Sequence, residues 1–142
     1  MQPVMNVNQL SEFLAAEFPQ MHGRFEIESV RPCAITVHMN TGQGDLRPGG
    51  TISGPSMFAL ADCAFYLATL AMIGPEALTV TTSCTINFMR KPGPGRITAE
   101  ARVHKLGKTL SVGDVLIYSD GVEGPVAQAS LTYSIPPKKQ RP

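Results

Sequence analysis

The stretch from Ser53 to Gly74, SGPSMFALADCAFYLATLAMIG, constrains the fold more than any other part of the chain. Its ends are punctuated as a helix. Pro55 suits a first helical position, where the N–H it lacks would be unpaired anyway, Gly54 or Ser53 serves as N-cap, and Gly74-Pro75 supplies the stop. The predicted helix, about 55–73, is apolar on every face, so it is either enclosed by protein or sits in lipid. Its one charge is Asp62. An ionised carboxylate in apolar surroundings costs several kcal/mol unless it is paired or hydrogen-bonded, so Asp62 is the first candidate for a functional group.

The length of the helix would allow a membrane crossing. Two features favour protein as the enclosure. A charge near the middle costs about 2.5–3.5 kcal/mol on insertion scales, and the strands that flank the helix in sequence need a buried partner. The N-terminus, MQPVMNVNQLSEF, has no basic segment leading into an apolar run, so the cytoplasm is the expected compartment.

Around the helix, the chain alternates. Asn6 to Phe18 places Leu10, Phe13, Leu14 and Phe18 three and four residues apart, which predicts an amphipathic helix over about 6–18. Arg24–Val30 and Cys33–Asn40 follow with period two, joined through Arg31-Pro32 as a hairpin or as sheet neighbours. A glycine-rich loop, TGQGDLRPGG, then carries Arg47 to the helix start. Four more strands are expected after the helix, at Leu78–Arg90, Arg96–His104, Leu110–Tyr118 and Val126–Ile135, separated by Pro-Gly and Asp-Gly turns. Residues 136–142 read as a solvated basic tail.

No strand–helix–strand unit repeats, which argues for the α+β class: one antiparallel sheet of about five or six strands with a helix on one face. Covering a helix about 27 Å long requires the sheet to curl and leaves open edges that a second copy could pair. With 142 residues a single domain is expected. Charged residues make up only 16%, little to coat a free monomer, which also points to self-association. A net charge of +1 provides no field to draw nucleic acid or an anionic membrane. Cys33, Cys63 and Cys84 are far apart and share no metal spacing with the histidines, so no metal site is expected.

The approach loop and helix, Arg47-Pro48-Gly49-Gly50-Thr51-Ile52-Ser53-Gly54-Pro55 with Phe58-Ala59-Leu60-Ala61-Asp62, resemble the hotdog-fold acyl-CoA thioesterases, especially the PaaI-like, phenylacetate-degradation group. The downstream runs Ile86–Arg90, Ala99–Val103, Leu106-Gly107-Lys108 and Ala127-Gln128-Ala129 also match. The resemblance implies a sheet wrapped round a central helix, dimers that pair into tetramers, and hydrolysis of a small aryl- or short- to medium-chain acyl-CoA. Coenzyme A would be part of the substrate, with no separate cofactor. Asp62 falls at the family's catalytic carboxylate, and Gly54 at the glycine whose N–H polarises the thioester carbonyl. Ser53 stands where the family has His, Arg47 where it often has Asn or Gln, and Tyr66 where some members carry Thr or Ser.

Thioester hydrolysis needs a carboxylate that attacks the carbonyl or activates water, and donors aimed at the developing oxyanion. A helix start supplies such donors, because its first N–H groups are unpartnered and its dipole favours negative charge. Eight residues of helix separate Gly54 from Asp62 by about 12 Å of rise and about 80° of rotation, so one chain cannot converge both on one carbon. The site therefore requires Asp62 of one subunit and Gly54 of another. Arg90, Lys91, Lys105 and Lys108, at strand ends, are candidates for the phosphates of coenzyme A. Tyr66 could orient a water or pack; His22, His38 and His104 could each be a general base in principle, but His38 and His104 have no carboxylate nearby in sequence and read as satisfied or exposed. The alternative function is a hotdog protein that binds acyl-CoA or another acyl ligand without turning it over; a hydratase would need a histidine beside the acid.

Overall fold

A computed structural model of the chain describes residues 1–21 and 23–137. His22 and most of the expected tail, from residue 138 on, lie outside the described residues. Helix α1 spans Val7–Glu17 and is closed at its start by a reciprocal capping box between Asn6 and Gln9. Strands β1 (Phe25–Arg31) and β2 (Ala34–Asn40) form the expected hairpin, with Cys33 at positive φ in its turn. Helix α2 (Gly54–Ile73) is followed by β3 (Val80–Phe88), β4 (Arg96–Leu106), β5 (Leu110–Ser119) and β6 (Ala127–Ser134).

The six strands make one antiparallel sheet in the order β1-β2-β4-β5-β6-β3. Helix α2 packs against all six, and Leu60, Phe65, Leu67 and Leu70 are fully buried. That enclosure explains a helix that is apolar on every face. It is long and apolar enough to cross a membrane, but protein surrounds it. Of the glycines, Gly113 in β5 is the most tightly enclosed: a Cβ there would lie 2.0 Å from the carbonyl oxygen of Arg102 and 2.6 Å from the ring of Phe65. No larger residue fits there.

Some boundaries differ from the sequence expectation, for local reasons. The third strand starts at Val80 rather than Leu78 because the Thr79 N–H closes a turn onto the Glu76 carbonyl. It ends at Phe88 because the amides of Met89 and Arg90 both turn to the Val126 carbonyl. The fourth strand runs on to Leu106 across an irregularity between Val103 and Lys105. Strand β2 alternates in sequence yet is buried on both faces. Helix α2 covers one side, and two polar clusters, Arg31 with Thr36 and Glu100 and Glu26 with His38 and Asn40, cover the other.

Two strands lie at the sheet's edges, β1 and β3. Nearly every residue of β3 is exposed, including Val80 and Phe88, and Phe58 of α2 is exposed as well. An unpaired edge carrying apolar side chains is a template for pairing with another chain.

Candidate active site

The start of α2 is built by Ser53 and a buried carboxylate. Ser53 is the N-cap: its hydroxyl accepts from the Ser56 N–H at 3.3 Å, and its carbonyl accepts from Met57 N–H. Pro55 therefore occupies the second helical position, one later than its punctuation suggested, and has no N–H to give. Of the first helical residues this leaves Gly54 alone with an N–H that no described residue accepts. Proline and cap together make it the single open donor of the helix terminus.

Asp45 holds this terminus in place. It is 5% exposed and accepts from the Ser56 hydroxyl at 2.7 Å, the Gly42 N–H at 2.9 Å and the Arg24 guanidinium at 2.8 Å. Its carbonyl accepts from the Ser53 N–H. Burial works against its charge, but the three donors more than compensate and hold its carboxyl below the ordinary value of 3.8. Such a depressed pKa adds stability that is complete above pH 3.8 and is lost as pH falls through the lower, folded-state value. Asp45→Asn should lower the melting temperature at neutral pH by roughly 5–10 °C, and the difference from the parent should shrink in acid. Thermal melts between pH 7 and pH 3 check this; a constant difference would refute the ionised network.

Asp62, two turns on, is partly buried and faces β3 and β6. Its Oδ1 accepts from the Thr81 hydroxyl and from the Tyr133 hydroxyl, both at 2.7 Å. No described residue binds Oδ2. Burial and the charge of Asp62 push the Tyr133 phenol well above its usual range, so it remains a donor. Both hydroxyls donate to the same carboxylate oxygen of Asp62 and fix the plane of the group, leaving the other oxygen without a partner among the described residues. Removing one donor should cost about tenfold in kcat with little change in KM, the value of one neutral hydrogen bond to a charge. Steady-state kinetics of Tyr133→Phe and Thr81→Val test this positioning role, and an unchanged kcat in both would remove it.

Asp62 and Gly54 line different cavities. A cavity of about 500 Å³ joins Asp62 to Tyr66, Phe18, Met21, Thr79 and Tyr133. A second, of about 560 Å³, joins Gly54 to Arg47, Phe88, Arg90 and Lys91, and no carboxylate lines it. Arg90 is held by a 2.6 Å bond to the Pro125 carbonyl. Strand β3 links the two: Thr81 near its start meets Asp62, and Phe88 at its end lies against Gly54, where a Cβ would be 3.1 Å from the ring.

The four expected phosphate ligands do not form one cluster. Arg90 and Lys91 follow Phe88, which pairs with Ala127, whereas Lys105 and Lys108 flank the β4–β5 turn at the end where Val80 and Leu110 both pair with Ser134. The register thus sets the two pairs at opposite ends of the sheet. Arg47 joins Arg90 and Lys91 instead. Tyr66 donates to the Ala77 carbonyl at 3.2 Å and packs edge-on against Phe18, and burial raises its phenol to about 12, so it is a wall of the cavity. Burial, and then the Asp62 charge, raises the Cys63 thiol to about 12, which leaves it no role as a nucleophile. His38 and His104 find carboxylates across the strands, at 3.0 Å from Glu26 and 3.2 Å from Asp114, far from Asp62 in the fold.

Thr81 and Tyr133 were not singled out as site residues from the sequence. Thr81 read as the polar face of a strand. Tyr133 alternates with Ala129 and Leu131 on the inner face of β6, and a buried phenol needs an acceptor. The only charge on the facing helix is Asp62, and that was the available signal.

A single long helix wrapped by a curved antiparallel sheet is the hotdog fold. The model of the thioesterase superfamily matches residues 49–125, and the chain belongs to that family and is a thioester hydrolase. Over 96% of both chains it superposes on a candidate thioesterase from Silicibacter sp. TM1040, with a TM-score of 0.89 and 50% identity. The PaaI-like character expected from the helix motif is present too. A mutant of the phenylacetic acid degradation protein PaaI from Thermus thermophilus matches with a TM-score of 0.71 and 28% identity, over 83% of this chain and 99% of that one. A candidate esterase of Saccharolobus solfataricus is 28% identical over 94% of this chain and 87% of its own length.

Proposed function

We propose that the chain hydrolyses an acyl-CoA thioester at a site shared by two copies, with Asp62 of one copy as nucleophile or general base and Gly54 N–H of the other polarising the carbonyl. The observation that carries this reading is the pairing of two unsatisfied groups. Among the described residues nothing binds one carboxylate oxygen of Asp62 or the Gly54 N–H, and the two line separate cavities of one chain. The unpaired edge of β3, with Thr81 at one end and Phe88 at the other, offers a two-fold pairing that would bring the Asp62 end of one copy to the Gly54 end of the next.

In the general-base route, Asp62 takes a proton from water and the oxygen adds to the carbonyl carbon. The C–S bond then breaks, and the thiolate of coenzyme A leaves with a proton. In the nucleophilic route, Asp62 Oδ2 adds to the carbonyl carbon, the C–S bond breaks as the coenzyme A thiolate leaves and takes up a proton, and water cleaves the resulting mixed anhydride to the free acid and the Asp62 carboxylate. In both, negative charge develops on the carbonyl oxygen, which is where a helix N-terminus is most favourable. Arg47, Arg90 and Lys91, gathered beside Gly54, suit the phosphates of coenzyme A.

Assaying free-thiol release from a panel of aryl-, short- and medium-chain acyl-CoA esters tests the reading. Turnover of at least one ester is expected, and failure with all of them would reject acyl-CoA as the thioester.

A further inference from the structure

One group at the helix start has the wrong sign for the proposed chemistry. A carboxylate near the first turn stabilises a helix, because it sits at the positive end of the dipole. Asp45 is such a group: its Oδ1 accepts from the Ser56 hydroxyl and its carbonyl from the Ser53 N–H, so it holds the turn on both sides of Gly54. An oxyanion at the Gly54 N–H needs the same positive end. A buried anion within one turn of it repels that charge and undoes part of the polarisation.

Arg24 resolves the conflict. Its Nη2 lies 2.8 Å from Asp45 Oδ1, and it is the one charged group paired with Asp45 among the described residues. The other donors to the carboxylate, Gly42 N–H and the Ser56 hydroxyl, are neutral and leave its charge in place. Arg24 is itself well anchored: its own N–H donates to the Met21 carbonyl at 3.0 Å, and its guanidinium lies 5.7 Å from the centre of the Phe25 ring. It lines neither the Asp62 cavity nor the Gly54 cavity, so any effect it has on the reaction passes through Asp45.

Resting on the reading above, in which the Gly54 N–H polarises the carbonyl, we propose that Arg24 is a charge-compensating residue: it lets Asp45 build the helix start without opposing the anion that forms at Gly54. Stability alone would be served by the carboxylate without a counter-charge so close. The chemistry is not, and that is the work the ion pair does.

Amide exchange of Gly54 reads this field without any substrate. Base-catalysed exchange of an N–H passes through an anion of the peptide group, so a nearby negative charge slows it, whereas a loosened helix start speeds it. Exchange is followed by NMR on the full chain, and kcat and KM are measured beside it on the acyl-CoA panel. Arg24→Met should slow Gly54 exchange at least about fivefold, Arg24→Lys should keep it near wild type, and Arg24→Met combined with Asp45→Asn should return it to within about twofold. Arg24→Gln, which can still donate to Asp45 but carries no charge, should show the same slowing and keeps the test if the methionine variant does not fold. In kinetics kcat should follow the same order with KM little changed. Exchange that is unchanged or faster in the folded uncharged variants, or that stays slow once Asp45 is neutral, overturns the role of Arg24. Exchange that follows the charges while kcat stays constant, or while no ester is turned over, supports that role and rejects Gly54 as the donor in acyl-CoA hydrolysis.

Discussion

Asp62→Asn removes at least about a hundredfold of kcat while the affinity for a non-hydrolysable acyl-CoA analogue stays within a few-fold of the parent. The split follows from what Asp62 touches. Its Oδ1 is engaged by Thr81 and Tyr133, and asparagine can keep both bonds through its carbonyl oxygen. The other carboxylate oxygen, bound by no described residue, becomes an amide nitrogen that can neither attack a carbonyl nor accept a proton from water. The cavity keeps its shape and loses its chemistry. A structural carboxylate predicts the opposite pattern, in which the melting temperature falls and kcat of the folded fraction does not. Circular dichroism melts beside steady-state kinetics separate the two, and a folded variant with near-normal kcat would exclude Asp62 from catalysis.

The fold was legible because one stretch left few options. A helix apolar on all faces had to be wrapped, and six alternating strands without strand–helix–strand repeats could do so only as one curved sheet. The site was half legible. Asp62 and Gly54 stand out within twenty residues of sequence because a lone charge and a helix start are local signals. Their partners are not local: Tyr133 is 71 positions from Asp62 and Thr81 is 19, and only the pairing of β3 with β6 brings both hydroxyls to one oxygen. The basic residues illustrate the converse. Arg90, Lys91, Lys105 and Lys108 look equivalent beside turns, but antiparallel register alternates the ends of the sheet at which successive turns fall. Asp45 escaped notice because its loop reads as glycine-rich connection, with nothing local to show that Arg24 and Ser56 would close on it.

The departures from the family pattern at the helix start also acquire a physical meaning. Ser53 caps the helix with its hydroxyl, and Pro55 brings no N–H, so the terminus is stable and presents one donor instead of several. In the proposed mechanism, polarisation of the carbonyl would then depend on Gly54 alone, supported through Ser53 and Ser56 by Asp45.

That dependence gives the second large effect. Gly54→Pro deletes the one N–H of the terminus that no described residue accepts, and proline is tolerated in the first turn of a helix. Its ring would displace the Phe88 side chain, which is 52% exposed and has room to move. Homodimers of Gly54→Pro and of Asp62→Asn should each be nearly inactive. With the proposed shared site, a heterodimer carrying one substitution per chain has one doubly damaged site and one intact site, because Asp62 of the Gly54→Pro chain would act with Gly54 of the Asp62→Asn chain. Isolated through two affinity tags, it should recover about half the kcat of the parent dimer, as two-fold symmetry requires. If each site drew both groups from one chain, every site in the heterodimer would be damaged and no activity would return. Recovery also proves that the Gly54→Pro chain folds, since it must supply the working Asp62. The eight-residue offset makes the same demand from geometry alone: two groups about 12 Å apart and turned by about 80° on one rigid helix cannot reach one carbonyl carbon, so a working site must take them from two helices.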